Sequence, residues 1–392
     1  MKLNEDQAVV STMVALIAMV YTVAPVANYY LYSFGFYFLN LSVIGFACVF
    51  VYLLVYTIIK PRMVVFLFSK KLFVILVSLL PFLIVTIISF FYSRNIDYAF
   101  TKLFSLVINI TFMFWIASQF NEKAFSIYIK STIITSLILG LLYPYFYSGL
   151  FEAAPDISSD NISVYLTSGS LLAFCGVLQV VFKPFKFLYG VWLAIIYVEI
   201  IFTGARGPLL FLLICHFLHN VVVMRKLSTL YFLTPVLIMV IFYIISIDSG
   251  DSLLSRAIWR FSLVFDGNSG ARFEYWSLFY EHLTKLGLLL FGAGLGSYGV
   301  IAFGPGVRDY PHNLFIGIIA DSGILGLLCF IVFIVTLIRL MVLHRMYKYS
   351  VVLLLPFLEL QKSSTYAEFR IFWISIGVIL FLAIGKGYFS RK

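Results

Sequence analysis

The chain has 392 residues, 62% of them hydrophobic and only 11% charged. That balance excludes a soluble domain, which would have to expose large apolar patches. The net charge of +10 does not point to nucleic acid, because the basic residues are scattered between apolar runs instead of lining one face.

The apolar runs are continuous and roughly 20 residues long, the thickness of a bilayer, and lack the alternating pattern of a β-barrel. An all-α fold is predicted, a polytopic transmembrane helical bundle of about 12 spans. The spans fall near 8–27, 36–59, 72–92, 103–119, 127–147, 161–182, 187–202, 208–224, 228–247, 312–340, 349–360 and 370–386. The first follows MKLNEDQ, which carries both signs of charge, and no small-residue cleavage site follows it. It reads as a retained helix and not a signal peptide. The eleventh is short and contains Pro356, so it is tilted, half-inserted or broken. With both termini in the cytoplasm, most of the 27 Lys and Arg residues face inward, as insertion physics expects.

Two outer loops result. Ser148–Asn161 carries Glu152, Asp156 and Asp160 and no basic residue. The longer one ends at Pro311, so the chain divides into 1–247 (spans one to nine), 248–311 (the long outer loop) and 312–392 (spans ten to twelve). Within that loop Phe273, Trp276, Phe279, Tyr280 and Leu283 recur at helical spacing. An amphipathic helix over Arg272–Lys285 is predicted, lying along the membrane surface or capping a cavity. A folded outer loop beside a bundle is where function concentrates. Cys48, Cys175, Cys215 and Cys329 lie inside apolar runs without CxxC or Cys/His spacing. They read as packing residues, with no disulfide framework and no metal site. No internal repeat argues for the inverted halves of a secondary transporter.

Three stretches carry candidate chemistry. In TGARGP, Arg206 occupies a tight outer turn between spans seven and eight. It suits a phosphate or carboxylate, or simply snorkels to headgroups. In ARFEYW, Arg272 opens the amphipathic segment, with Glu274 after it and Trp276 offering a flat ring for a sugar or isoprenoid. The alternative is a solvated helix face. In YPHNLF, His312 follows Pro311 and opens span ten, a short way after the Gly-rich FGAGLGSYG. An imidazole titrates near neutral pH and suits a general base, while Asn313 caps the helix or binds a substrate hydroxyl. The Gly-rich run is no nucleotide fingerprint, because no βαβ unit surrounds it. Close packing, or backbone amides facing an anion, explains it better. Glu199 and Asp321 fall inside apolar spans, where ionisable groups are costly. Both read as structural, Asp321 holding a neighbouring helix or staying protonated and Glu199 orienting Arg206. His216 and His219, at i, i+3, are weak grounds for a metal.

TGARG, RFEYW, GAGLGSYG, YPHNLF and GILGLL, in that order, resemble the O-antigen polymerase and O-antigen ligase superfamily (Wzy/WaaL type). The resemblance implies a GT-C-like glycosyltransferase of the bacterial inner membrane. Its long loop would be periplasmic and contain short helices, and its active site would face the periplasm. It implies an undecaprenyl-pyrophosphate-linked oligosaccharide as donor and acceptor, no nucleotide sugar, no cofactor and no metal. A polysaccharide chain-length regulator is a further implied partner, and nucleic acid is not one. The positions matching the family's functional residues are Arg206, Arg272 and His312. Around them Asn313, Trp276, Glu274, Arg308 and Tyr310 are candidate substrate-binding residues. A polymerase of repeat units is the favoured expectation. A ligase transferring glycan to lipid A–core is the alternative, and a flippase of lipid-linked sugars is a third.

Overall fold

Backbone amides and carbonyls in hydrocarbon find no water, so a chain this apolar satisfies them within helices. The computed structural model describes residues 5–36, 38–59, 70–147, 159–225, 272–285, 288–362 and 365–384, and among these there is no strand. The helices are α1 (Glu5–Ser33), α2 (Leu41–Ile59), α3 (Lys70–Phe91), α4 (Ile96–Gln119), α5 (Glu122–Tyr147), α6 (Ser159–Phe182) and α7 (Tyr189–Thr203). They continue with α8 (Arg206–Phe217, extended by a π turn over Leu218–Val223), α9 (Arg272–Lys285), α10 (Tyr298–Phe303), α11 (Leu314–Leu343), α12 (Ser350–Leu360) and α13 (Arg370–Ile384).

Seven of the described helices are long and apolar enough to cross a membrane: Gln7–Ser33, Lys71–Phe91, Ile96–Gln119, Glu122–Tyr143, Val164–Phe182, Arg206–Val223 and Leu314–Leu343. Leu41–Tyr52 of α2, together with α7 and α13, form shorter apolar stretches. The expected ninth span, 228–247, lies outside the described residues, as do 148–158 and 248–271 of the two outer loops. Among the described residues the other eleven expected spans each overlap a helix. The chain is a multi-pass membrane protein. Its helix surfaces agree with that: on α3, Val74, Val77, Leu80, Ile84 and Ile88 are exposed while Ile75, Leu79, Phe82 and Thr86 are buried. An apolar stripe turned outward is what lipid, and not water, tolerates.

The chain forms two compact units. The first comprises Met1–Leu54, Gln119–Asn268 and Lys348–Pro356. In it α1 packs on α5, and α6 on α5, α7 and α8. Small residues bring α6 close: a Cβ on Gly176 would stand 2.7 Å from Leu212 Cδ2 of α8, the kind of contact that holds membrane helices together. Polar side chains find partners across helices, with Tyr30 donating to the Leu139 carbonyl at 2.8 Å and Asn121 to Ser11 at 2.7 Å.

The second unit comprises Val55–Ser118, Ser269–Tyr347 and Phe357–Lys392. Here α3 packs along α11, with Phe82 edge-on to Phe330 at 5.2 Å and to Tyr366 at 5.5 Å. Every residue of α13 from Ile371 to Ala383 is buried, as expected of a helix apolar on all sides. Trp373 Nε1 donates to the Tyr366 carbonyl at 2.7 Å, fixing the turn that precedes it.

Candidate functional site

The Gly-rich segment comes first, because the rest of the site is built on it. α11 is broken at Gly323 (φ 69, ψ −170), a backbone conformation that costs an L side chain heavily. Where a helix breaks inside a membrane protein, its freed amides and carbonyls need other partners. The Gly-rich segment supplies them. Ile324 N donates to Leu289 O at 3.0 Å and Leu325 N to Leu290 O at 3.2 Å, while Ala293 N donates to Ala320 O at 2.8 Å. Backbone lies directly on backbone: a Cβ on Gly292 would stand 2.6 Å from the Gly323 nitrogen. On its other side the segment is held by the end of α3 and the turn after it, with Leu295 N donating to Ser89 O at 3.1 Å and Ser93 Oγ to Leu295 O at 2.7 Å. The expectation of close packing is met, and the rejected nucleotide fingerprint is replaced by a mortise for a broken helix.

The other expectation for this segment, amides facing an anion, is met inside the protein. Asp321, just before the break, is fully buried. Its carboxylate accepts from Gly296 N at 2.8 Å and Tyr366 OH at 3.1 Å, and pairs with Lys102 Nζ at 3.0 Å. Burial, then the Asp321 charge, raises the Tyr366 phenol well above its ordinary range, so it stays a donor. Lys102 is 2% exposed. Asp321 therefore holds a neighbouring helix, α4, through a pair that the sequence does not single out. The expected span began at residue 103, whereas α4 starts at Ile96 and carries Lys102 on its second turn. Nearby, Glu368 accepts from Tyr98 OH at 3.3 Å and Thr365 Oγ1 at 2.9 Å.

His312 lies at the N-terminal end of the half-helix 314–322. It precedes the helix instead of opening it: Asn313 is the N-cap, its Oδ1 accepting from Phe315 N at 3.0 Å and Ile316 N at 3.1 Å. The histidine backbone is left-handed (φ 50), uncommon outside glycine though histidine tolerates it better than most. Trp276 Nε1 donates to the Pro311 carbonyl at 2.6 Å, immediately before it. The Tyr310 ring stands 4.3 Å from the imidazole, tilted by 49°. The half-buried His312 side chain is thus set by the residue before it, the cap after it and an indole from α9. Pro311, Asn313 and Tyr310 also line a cleft with Lys102, Asp321 and Tyr366. About 10 Å³ of free space remains there, enough for a single water.

The predicted amphipathic helix is α9 itself. It docks on protein: Phe279 and Leu283 are buried with Tyr298 of α10 and Ala320 of α11, and the Phe279 and Tyr298 rings lie 4.8 Å apart. Tyr280, expected on the apolar face, is 64% exposed, because it sits one residue off the 276/279/283 stripe. Arg272 and Glu274 stand in the first turn of α9. Arg308 is exposed in the connection from α10 to α11. The Trp276 ring, a candidate surface for a sugar or isoprenoid, is held by the bond from its indole nitrogen to Pro311.

Arg206 belongs to the first unit. α7 ends at Gly204 (φ 67), and Thr203 Oγ1 accepts from Ala205 N at 3.3 Å while donating to Ile200 O at 2.7 Å. Around Arg206 the residues Thr203, Gly204, Ala205, Gly207 and Pro208 are buried while Arg206 itself is half-buried. It is the first residue of α8. A cation at a helix N-terminus is unfavourable for the helix and adds to its positive end, a combination that suits an anion. Glu199, one turn before Thr203, is 4% exposed. Among the described residues its carboxylate oxygens have no hydrogen-bond partner, so it does not orient Arg206 by a hydrogen bond. The four cysteines are free, and among the described residues no cluster of metal-ligating side chains occurs.

Residues 189–331 match the family model of the O-antigen ligase. That match supports the O-antigen polymerase and ligase superfamily to which the sequence motifs point. The matched stretch contains Arg206, Arg272, His312, the Gly-rich segment and Asp321. Members of this superfamily are glycosyl-transferring enzymes of O-antigen or lipopolysaccharide assembly, and they act on lipid-linked glycans in a membrane. A comparison with curated proteins finds none that matches the chain.

Proposed function

We propose that the chain is a GT-C-like polymerase of the bacterial inner membrane, joining undecaprenyl-pyrophosphate-linked repeat units on the periplasmic face. The observation that carries this reading is His312: a left-handed, half-buried histidine between an anchored proline and a helix cap, inside the stretch that matches the family.

The chemistry follows from the residue types. His312 takes the proton from the acceptor sugar hydroxyl. The resulting oxygen nucleophile attacks the anomeric carbon of the donor. The bond from that carbon to the pyrophosphate oxygen breaks, and undecaprenyl pyrophosphate leaves with the electron pair. Arg206 and Arg272 hold the pyrophosphate and offset the charge that develops on it, so the reaction needs neither a nucleotide sugar nor a metal. Asn313, Trp276, Glu274, Arg308 and Tyr310 contact the sugars, with Trp276 also holding the loop through Pro311. The amide nitrogen of Asn313 remains available for this while its oxygen caps α11.

The test is reconstitution of purified protein in lipid with the native undecaprenyl-pyrophosphate repeat unit as sole substrate. A ladder of products is expected, and His312→Ala should lower its rate by about 10²–10⁴-fold, the usual contribution of a general base. A near-normal rate at equal protein would remove His312 from the mechanism. The family description, O-antigen ligase, supports a second reading. Transfer appearing only once lipid A–core is added would make this chain a ligase. Neither product would reopen transport of the lipid-linked sugar.

A further inference from the structure

The lysine that α4 buries against Asp321 has no part in the chemistry above. It is also costly, since both charges leave water and only close pairing offsets their desolvation. Its location is informative. Asp321 closes the C-terminal end of the half-helix 314–322, and His312 precedes the N-terminal end. Ordinary helix hydrogen bonds do not carry that half-helix past Gly323, where the backbone leaves helical geometry. The carboxylate instead ties its end to three separate segments: Lys102 of α4, Gly296 of the Gly-rich segment and Tyr366 of the turn before α13. The half-helix is rigid over so short a length, so its clamped end sets where its other end stands. The cleft between them, lined by Asn313 and Pro311 as well as Lys102 and Asp321, leaves space for roughly one water.

We propose that the Lys102–Asp321 ion pair is a positioning element for His312, acting through the half-helix and not by contact with substrate. The proposal rests on the reading of His312 as the base. A pair of buried opposite charges fixes two segments in one register more sharply than apolar packing, which tolerates sliding. Removing one partner leaves the other buried and unpaired, whereas removing both restores an uncharged interior. The double neutral variant is therefore expected to lose less than either single variant.

The experiment compares Lys102→Met, Asp321→Asn and the Lys102→Met/Asp321→Asn double variant with wild type, full-length in proteoliposomes, beside His312→Ala. Two quantities are read at equal protein: steady-state kcat and KM on the lipid-linked repeat unit, and the rate at which diethyl pyrocarbonate modifies His312, followed by peptide mass spectrometry. Each single variant is expected to lower kcat by at least about tenfold with KM changed less than about twofold. Each is also expected to shift the His312 modification rate at least about threefold, and the double variant to recover at least about fivefold of the lost kcat. Unchanged kcat in both singles would overturn the proposal, as would a lowered kcat with His312 modification at the wild-type rate. If a single variant does not accumulate, Tyr366→Phe, which deletes one hydrogen bond to the same carboxylate, carries the same two readouts with a smaller expected loss of about threefold. Should His312→Ala remain active, the catalytic reading fails by itself, and the modification rates still decide whether the ion pair positions His312.

Discussion

At the scale of single residues, the groups around His312 divide into those that offer chemistry and those that hold it in place. Trp276 belongs with the second, since its indole donates to the carbonyl that immediately precedes the histidine. Trp276→Phe should keep the ring and lose the donor. A neutral hydrogen bond is worth about 1 kcal/mol net, so the variant should fold, and its kcat should fall by roughly three- to tenfold if that bond holds the reactive rotamer. A rise in KM with kcat unchanged would return the indole to sugar binding, and no change in either constant would remove its positioning role. Lys102 and Asp321 illustrate what sequence conceals at this scale. A lysine at the edge of an apolar run looks like an interfacial anchor, and nothing in its neighbours in the chain announces a partner on α11. Breaking such a pair costs about 3–5 kcal/mol when one charge is left behind, so the single variants should melt earlier than wild type in detergent.

At the scale of elements, the break at Gly323 was hidden and the amphipathic helix was open to view. Phe279 and Leu283 repeat with the helical period in the sequence, and α9 has the bounds that this period predicts. The break has no such period, because GILGLL reads as an unbroken apolar run. It exists because Leu289 and Leu290 offer carbonyls to the amides beyond it. Gly323→Ala should destabilise the protein by about 1–3 kcal/mol from backbone strain alone, with a further loss from overlap with the Leu290 carbonyl. Gly190, on α7 and with nothing near its missing Cβ, is the control. Its change to alanine should leave the melting temperature equal or raised, as for any helical glycine with room. Equal melting of the Gly323→Ala variant and wild type would show that α11 runs through unbroken.

At the scale of the whole molecule, the proposed reaction requires the His312 loop and the α6–α7 connection to lie on opposite sides of the bilayer. Lys186 and Arg308 are both exposed and suit single cysteines in a background without Cys48, Cys175, Cys215 and Cys329. A membrane-impermeant maleimide added to intact spheroplasts should label Arg308→Cys and spare Lys186→Cys, and inverted vesicles should reverse the pattern. Failure of Arg308→Cys to label in intact spheroplasts, with labelling in inverted vesicles, would refute the periplasmic site.

Composition by itself determined that the chain crosses a membrane on helices, because apolar runs of bilayer length leave the backbone no other way to satisfy its hydrogen bonds. Local spacing determined α9, and the order of short motifs pointed to the superfamily that the match over residues 189–331 supports. Tertiary structure decided the rest of the His312 site. The helix break, the buried Lys102–Asp321 pair and the indole on Pro311 each join segments far apart in the chain. Their partners are chosen by what packing brings within hydrogen-bond reach in a medium without water, and no periodicity in one stretch of sequence records that choice.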